Sequence, residues 1–171
     1  GYGVCRILYA GSRAFTGEPL TMHAAQVLYD SVKENDLVYI LVGFVRLPHR
    51  VPEMDGTVSA MLLARALVMA FNAKPVIVCP SDSVQAIEKC AAVVGLHIYE
   101  DLDTVQELPL SMGVVAFTKD KAAASAQAAE LAARKPAAVV SVEASGANTL
   151  GVYHNAVGKD VTEMQAKSEA L

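Results

Sequence analysis

The hydrophobic positions of this chain alternate between short unbroken runs and longer stretches with helical spacing. Residues 37–44 (LVYILVGF) form an apolar run typical of a strand buried on both faces. Residues 57–72 (TVSAMLLARALVMAFN) are too many, and too rich in Ala, Leu and Met, for another strand. A polar loop, residues 45–56, separates the two stretches. We therefore predict a strand, a loop and a helix in this order.

The same alternation recurs along the rest of the chain. Apolar spacing predicts a first helix over residues 21–33, whereas residues 4–10 fit either a short strand or a helical turn. The later segments predict strands at 75–79, 96–99, 112–118 and 137–144, helices at 83–94 and 121–135, and a helical tail at 161–171. Strands that alternate with helices indicate parallel βαβ units. The expected fold is a single domain over residues 1–171, a three-layer α/β/α structure with a mostly parallel, Rossmann-like sheet and helices on both faces.

Composition and charge exclude several classes of function. The formal net charge is -4 and no basic stripe is present, so we expect no nucleic-acid partner. Neither GxxxxGK[ST] nor GxGxxG follows any predicted strand, which predicts no nucleotide cofactor. No apolar stretch is free of charges and loop breakers for long enough to cross a bilayer, so no membrane partner is expected. Cys5, Cys79 and Cys90 lack CxxC or Cys/His spacing, which favours free buried thiols and a reducing compartment.

Carboxylates follow every predicted strand from residues 37–44 onward, and in parallel units the loops after strands open on one edge of the sheet. Glu53 and Asp55 stand directly before a helix, where a pair of carboxylates can bind a hard divalent cation or a substrate ammonium. The simpler interpretation is that Asp55 caps the helix and Glu53 is exposed. Glu143 ends a strand that we expect to be fully buried, so its carboxyl should be partly buried. By the same capping argument, Asp82 and Asp120 are expected to cap helices.

Polar groups also crowd the loop that follows Glu143. Gly146 and Gly151 allow close approach of the backbone, and Tyr153, His154 and Asn155 lie within the same loop. His154 taken alone is more typical of a surface histidine than of a catalytic base. We expect the loops after residues 37–44 and 137–144 to meet, and Glu53, Asp55 and Glu143 to converge on one cleft.

Two stretches resemble motifs of the D-glutamate cyclase family. PEMDGTVSAMLLARAL (52–67) is similar to its E-T-D-G-P-x-G-A motif, and SVEASGANTLGVYHNAVGKDVTE (141–163) to its segment E-R-x-G-R-x-x-D-G-x-Y-x-N. The order of the motifs and their strand contexts agree over nearly the whole chain. The positions that match are Glu53, Asp55, Gly56, Glu143, Gly146, Gly151, Tyr153 and Asn155.

The resemblance implies a lyase that closes D-glutamate to 5-oxo-D-proline with loss of water. Implied metal ligands are Glu53, Asp55 and Glu143, around a divalent ion such as Mg, Mn or Ca. Implied catalytic groups are Glu143 and His154. Implied substrate-binding positions are Gly56, Gly146, Tyr153 and Asn155. The implied partner is an acidic amino acid, with a homo-oligomer possible, in the cytoplasm or, in a eukaryote, in the mitochondrial matrix.

The chain departs from the family pattern at three places. Thr57 and Val58 replace the usual Pro, and Ala144 stands where an Arg is common, which removes a candidate carboxylate binder. The family normally continues into a glycine-rich acidic segment, so we expect this chain to be the N-terminal part of a longer cyclase-like domain. The alternatives are a metal-dependent hydrolase of phosphate esters and a non-catalytic binding or assembly domain.

Overall fold

The computed structural model describes residues 3–171, and contacts divide the chain into two compact units that meet between Val32 and Lys33. The first unit contains two helices, α1 (Gly3–Thr16) and α2 (Leu20–Ser31). The helix predicted over 21–33 is confirmed, and residues 4–10 are helical rather than extended. The single domain predicted over residues 1–171 stays a prediction.

The second unit is an α/β structure with a five-stranded parallel sheet, which confirms the predicted fold class. Its elements are β1 (Leu37–Leu41), β2 (Val45–Arg46), β3 (Val51–Pro52), α3 (Met54–Phe71), β4 (Lys74–Cys79), α4 (Ser81–Val93), β5 (His97–Tyr99), α5 (Leu102–Glu107), β6 (Ser111–Ala116), α6 (Lys121–Ala133) and β7 (Ala138–Ser141). The sheet order is β5-β6-β4-β1-β7, and every neighbouring pair is parallel. Strands β2 and β3 form a separate antiparallel hairpin that the sequence interpretation placed in a loop.

The core explains why β1 is a continuous apolar run. Leu37, Tyr39 and Leu41 alternate along β1 and share one core cluster with residues of α5 and α6. The intervening Val38 and Ile40 are fully buried as well. The Tyr39 hydroxyl donates a hydrogen bond of 2.9 Å to the Leu131 carbonyl, which satisfies the one polar group of the strand. Burial on both faces gives β1 a rigid position, and this anchors the start of the loop that follows it.

Strand β7 is less buried than we predicted. We predicted a fully buried strand at its sequence VVSV, but its residues alternate between half-buried and exposed, and Val139 is 43% exposed. The reason is its place at the edge of the sheet, next to β1 only. Partial burial of Glu143 was inferred from the same strand and is also wrong, because Glu143 is exposed.

Helix α3 begins three residues before its predicted start and has an unexpected property. Its length and composition would allow it to cross a membrane, although it contains the charged residues Asp55 and Arg65; the absence of a membrane partner stays a prediction. One face of α3, including Ala60, Met61, Ala64 and Leu67, is nevertheless buried in the second unit, where α3 packs on β4. This is the composition of a core helix beneath a parallel sheet.

The predicted helical tail is instead a chain with two short 3₁₀ helices, Thr162–Met164 and Ser168–Ala170. Its residues from Met164 to Ser168 are buried. The buried Gln165 side chain bonds to both backbone groups of Val45: the amide nitrogen donates to the carbonyl (3.0 Å) and the amide oxygen accepts from the N–H (3.2 Å). The extended backbone allows both hydrogen bonds between Gln165 and Val45. These tertiary contacts therefore outweigh the helical spacing of the sequence in setting the conformation of the tail.

Candidate functional site

The position of the candidate site follows from the arrangement of β1 and β7 in the sheet. From β1 the chain crosses through α3 to β4 on one side, while β7 pairs with the other side of β1. Ligands of open α/β sheets bind outside the carboxyl ends of the strands where the strand order reverses. The loops that leave β1 and β7 therefore border the expected crevice.

Backbone hydrogen bonds join these two loops through Phe44. The Phe44 N–H donates to the Glu143 carbonyl (3.2 Å), and the Phe44 carbonyl accepts from the Glu53 N–H (2.9 Å). Gln165, which clamps the neighbouring Val45, also accepts a hydrogen bond of 3.1 Å from the Ser145 hydroxyl. The start of α3 and the end of β7 are consequently held close together.

Glu53 and Asp55 have different environments. Glu53 is the N-cap residue of α3, but its side chain makes no capping bond; its Oε1 lies 3.0 Å from Nε of Arg46, and the side chain is 26% exposed. Asp55 lies within the first turn, is exposed, and accepts a hydrogen bond of 3.0 Å from the Gly56 N–H. The expectation that Asp55 caps the helix while Glu53 is exposed is wrong, because the helix starts at Met54.

Glu143 has an unusual backbone conformation. Its φ is 51°, in the left-handed region that non-glycine residues rarely adopt and that occurs often at functional sites. Gly56 lies directly beneath it: a Cβ built on Gly56 would be 2.6 Å from Cβ of Glu143. Gly56 is thus required for the close approach of α3 to Glu143.

One pocket of about 420 Å³ opens between these loops, and we call it the switch-point pocket. It is lined by Phe44, Arg46, Leu47, Glu53, Glu143, His154, Asn155, Ala156 and Val157. The structure therefore brings together Glu53, Glu143, His154 and Asn155 of the residues singled out from the sequence. It adds Arg46, the one cationic side chain of Lys or Arg type in this lining.

The loop that carries His154 and Asn155 is braced internally. The Asn155 side-chain oxygen accepts hydrogen bonds from the backbone N–H groups of Val157 (3.1 Å) and Lys159 (2.9 Å). His154 is exposed and forms a β-bridge with Asp160. The loop thus presents the imidazole on a fixed backbone.

Four predicted site residues lie outside this lining. Asp55 is not part of it, and Gly56 lies beneath Glu143 without lining the pocket. Gly146 is exposed, and a Cβ there would meet nothing within 4 Å. Tyr153 is 1% exposed, and its hydroxyl donates a hydrogen bond to the Glu169 carboxylate. The pKa of Tyr153 is raised, mainly by burial and in addition by the neighbouring Glu169 carboxylate.

The predicted metal ligands do not assemble as a set of three. Within residues 3–171, no group of three or more His, Cys, Asp or Glu side chains is placed to hold a metal ion. Glu53 and Glu143 share the pocket, but Glu53 is already paired with Arg46. Metal binding stays a prediction.

Sequence reasoning missed Arg46 because it treated residues 45–56 as an irregular loop. The available signal was the short alternation V-R before Pro48 and V-P after Arg50, which fits a hairpin. That hairpin places Arg46 opposite Val51, next to the start of α3.

Comparison with known proteins bears on the family to which this chain belongs. No curated protein and no solved structure matches the chain. A family model described as D-glutamate cyclase-like, C-terminal, matches residues 3–171, which is nearly the whole chain. This chain therefore belongs to the D-glutamate cyclase-like, C-terminal family.

Proposed function

We propose that the switch-point pocket closes D-glutamate to 5-oxo-D-proline with loss of water. The observation that carries this proposal is the joint presence of two carboxylates, an imidazole and a guanidinium in one pocket, in a chain of a cyclase-like family. A zwitterionic acidic amino acid has an ammonium and two carboxylates, and the pocket offers partners for both kinds of charge.

The reaction requires movement of two protons. The amine nitrogen attacks the side-chain carboxyl carbon, a C–N bond forms, and one C–O bond breaks. The ammonium nitrogen loses two protons, and the departing oxygen gains two and leaves as water. The pocket must therefore contain a group that accepts protons from nitrogen and a group that delivers them to oxygen.

Glu143 and His154 are our candidates for these two roles. Glu143 is exposed in the pocket, and no ion pair engages its carboxylate among the described residues, so it is available to hold the ammonium and accept its proton. His154 lines the same pocket, and its imidazole is a group that can give a proton to the departing oxygen. Asn155 borders the same space with its amide.

Arg46 supplies the carboxylate binder that is missing at Ala144. Its Nε pairs with Glu53, which leaves the two terminal nitrogens of the guanidinium for a substrate carboxylate. Glu53 then acts as the positioning residue for Arg46. A fixed carboxylate orients the amine toward the carboxyl carbon, which is the main requirement for ring closure.

The test is an assay of purified protein with D-glutamate, L-glutamate and a generic phosphate ester, each with and without a chelator. Product is measured as 5-oxoproline by chromatography and as released phosphate. The proposal predicts 5-oxoproline from D-glutamate, and no release of phosphate. Phosphate release that the chelator stops would favour the hydrolase, and no turnover of any substrate would favour a binding domain.

A further inference from the structure

A second pocket, of about 330 Å³, is bordered by Tyr153. It is lined by Lys119, Asp120, Lys121, Ala147, Gly151, Tyr153, Thr162, Glu163, Lys167 and Glu169. None of these residues lines the switch-point pocket. We call it the lysine pocket, because three of its residues are lysines.

Lys167 is the unusual member of this lining. It is 6% exposed, and its Nζ donates to the carbonyl oxygens of Thr162 (2.5 Å) and Gln165 (2.9 Å). The same Nζ lies 4.3 Å from the centroid of the Tyr153 ring. Both hydrogen-bond partners are neutral, and no carboxylate of residues 3–171 lies within ion-pair distance of this ammonium. Burial of an ammonium without a counter-ion is costly, and this desolvation lowers the pKa of Lys167.

Three acidic residues line the lysine pocket, and two of them are engaged in hydrogen bonds. The Glu169 carboxylate accepts the hydrogen bond of the Tyr153 hydroxyl. Asp120 caps α6 by accepting from the Ala122 N–H at 2.7 Å. Glu163 is exposed. A third N–H of Lys167 remains available, since an ammonium has three donors and two are used.

Lys121 supplies a second cation at the same pocket. It is exposed in the first turn of α6, where the helix dipole also favours an anion, and it forms no ion pair within the described part of the chain. Its Nζ would lie 3.2 Å from a Cβ built on Gly151, whose φ is 78°. Lys119, in contrast, is neutralised by Asp82.

We propose that the lysine pocket binds an oxyanion, the phosphate or carboxylate group of a small molecule, between Lys121 and Lys167. The anion would provide the counter-charge that the buried Lys167 lacks. Arg46 and Glu143 play no part in this site, so it does not depend on the proposed cyclase activity.

The test is a calorimetric titration with inorganic phosphate and, separately, with glutarate, at constant ionic strength. Lys121→Met is the diagnostic variant, because the side chain is exposed and its loss should not impair folding. Lys89→Met, an exposed lysine on α4, is the matched control for charge. We expect saturable one-to-one binding that Lys121→Met weakens about tenfold or more and Lys89→Met leaves unchanged.

The two probes separate the sources of the oxyanion. Binding of phosphate alone identifies a phosphate-bearing ligand, binding of glutarate alone a carboxylate, and binding of both a general oxyanion site. A thermal melt of Lys167→Met with and without phosphate gives a second readout, in which the stabilisation by phosphate should disappear. The proposal is overturned if neither probe saturates, or if Lys121→Met and Lys89→Met bind equally well.

Discussion

Glu53 and Glu143 face one pocket from the loops of two neighbouring strands, yet their environments differ. Glu53 is half-buried, lies at the start of a helix and is paired with Arg46. Glu143 is exposed, stands in a left-handed backbone conformation and has no ion pair among the described residues. Two carboxylates in different surroundings are suited to different tasks. The paired one can position a neighbour, whereas the unpaired one can exchange a proton with the substrate.

The largest expected effect separates these two tasks directly. Glu143→Gln keeps the shape but removes the base, so kcat for 5-oxoproline formation should fall by about 10²- to 10⁴-fold. Glu53→Gln should mainly raise KM, by about tenfold, because a weakened partner holds Arg46 less well. Steady-state kinetics of both variants measure the difference, with Glu130→Gln on the exposed face of α6 as the control. Equal effects on kcat would contradict the division of roles.

The second prediction concerns the contact beneath Glu143. Gly56→Ala places a methyl group 2.6 Å from Cβ of Glu143, so the backbone must shift. We expect a loss of about 1–3 kcal/mol in the free energy of unfolding, together with a lower kcat. Gly146→Ala is the matched control, because its Cβ would meet nothing within 4 Å. Chemical denaturation and the cyclase assay compare the variants, and an unaffected Gly56→Ala would show that the contact is not restrictive.

Substitution of Arg46 is expected to have a smaller effect, on substrate binding and not on the chemical step. Arg46→Met should raise KM for D-glutamate about tenfold and change kcat little, because it removes a substrate carboxylate partner but no proton-transfer group. Arg50→Met is the control within the same hairpin, since Arg50 lines a different pocket. A fall in kcat with unchanged KM would instead place Arg46 in the chemical step.

The smallest effect is expected at Asp55. Because Asp55 does not line the switch-point pocket, Asp55→Asn should leave any affinity for Mg²⁺, Mn²⁺ or Ca²⁺ unchanged, whereas Glu143→Gln should reduce it. Calorimetric titration with each ion measures this. Loss of metal binding in Asp55→Asn alone would restore the ligand set inferred from the sequence.

The parallel sheet could be predicted because its signal is local. Strand β1, and strand β4 after its first residue Lys74, are unbroken apolar runs, and both strands are fully buried. Helix α6 is equally clear: its strong helix formers begin after Asp120, which caps it as predicted. Asp82 does not cap α4, whose N-cap is Pro80, and pairs with Lys119 instead. That pairing depends on a residue far away in the sequence, so spacing alone could not reveal it.

The errors have the same origin in long-range contacts. Exposure of β7 follows from its position at the edge of the sheet, which no periodicity encodes. The tail after Val161 has helical spacing but is held in an extended path by Gln165 and Val45, 120 residues apart. The candidate site shows the same limit: motif spacing identified Glu53 and Glu143, but the hairpin that brings Arg46 beside Glu53 was not recognised.

Binding of D-glutamate to the switch-point pocket is the central claim, and NMR can locate the ligand directly. Glu143→Gln protein, in which turnover is slowed, is titrated with D-glutamate while amide and side-chain signals are recorded. We predict saturable shifts at Arg46, His154 and Asn155. Shifts confined to the lysine pocket, or no saturable shift at any of the three residues, would contradict the account.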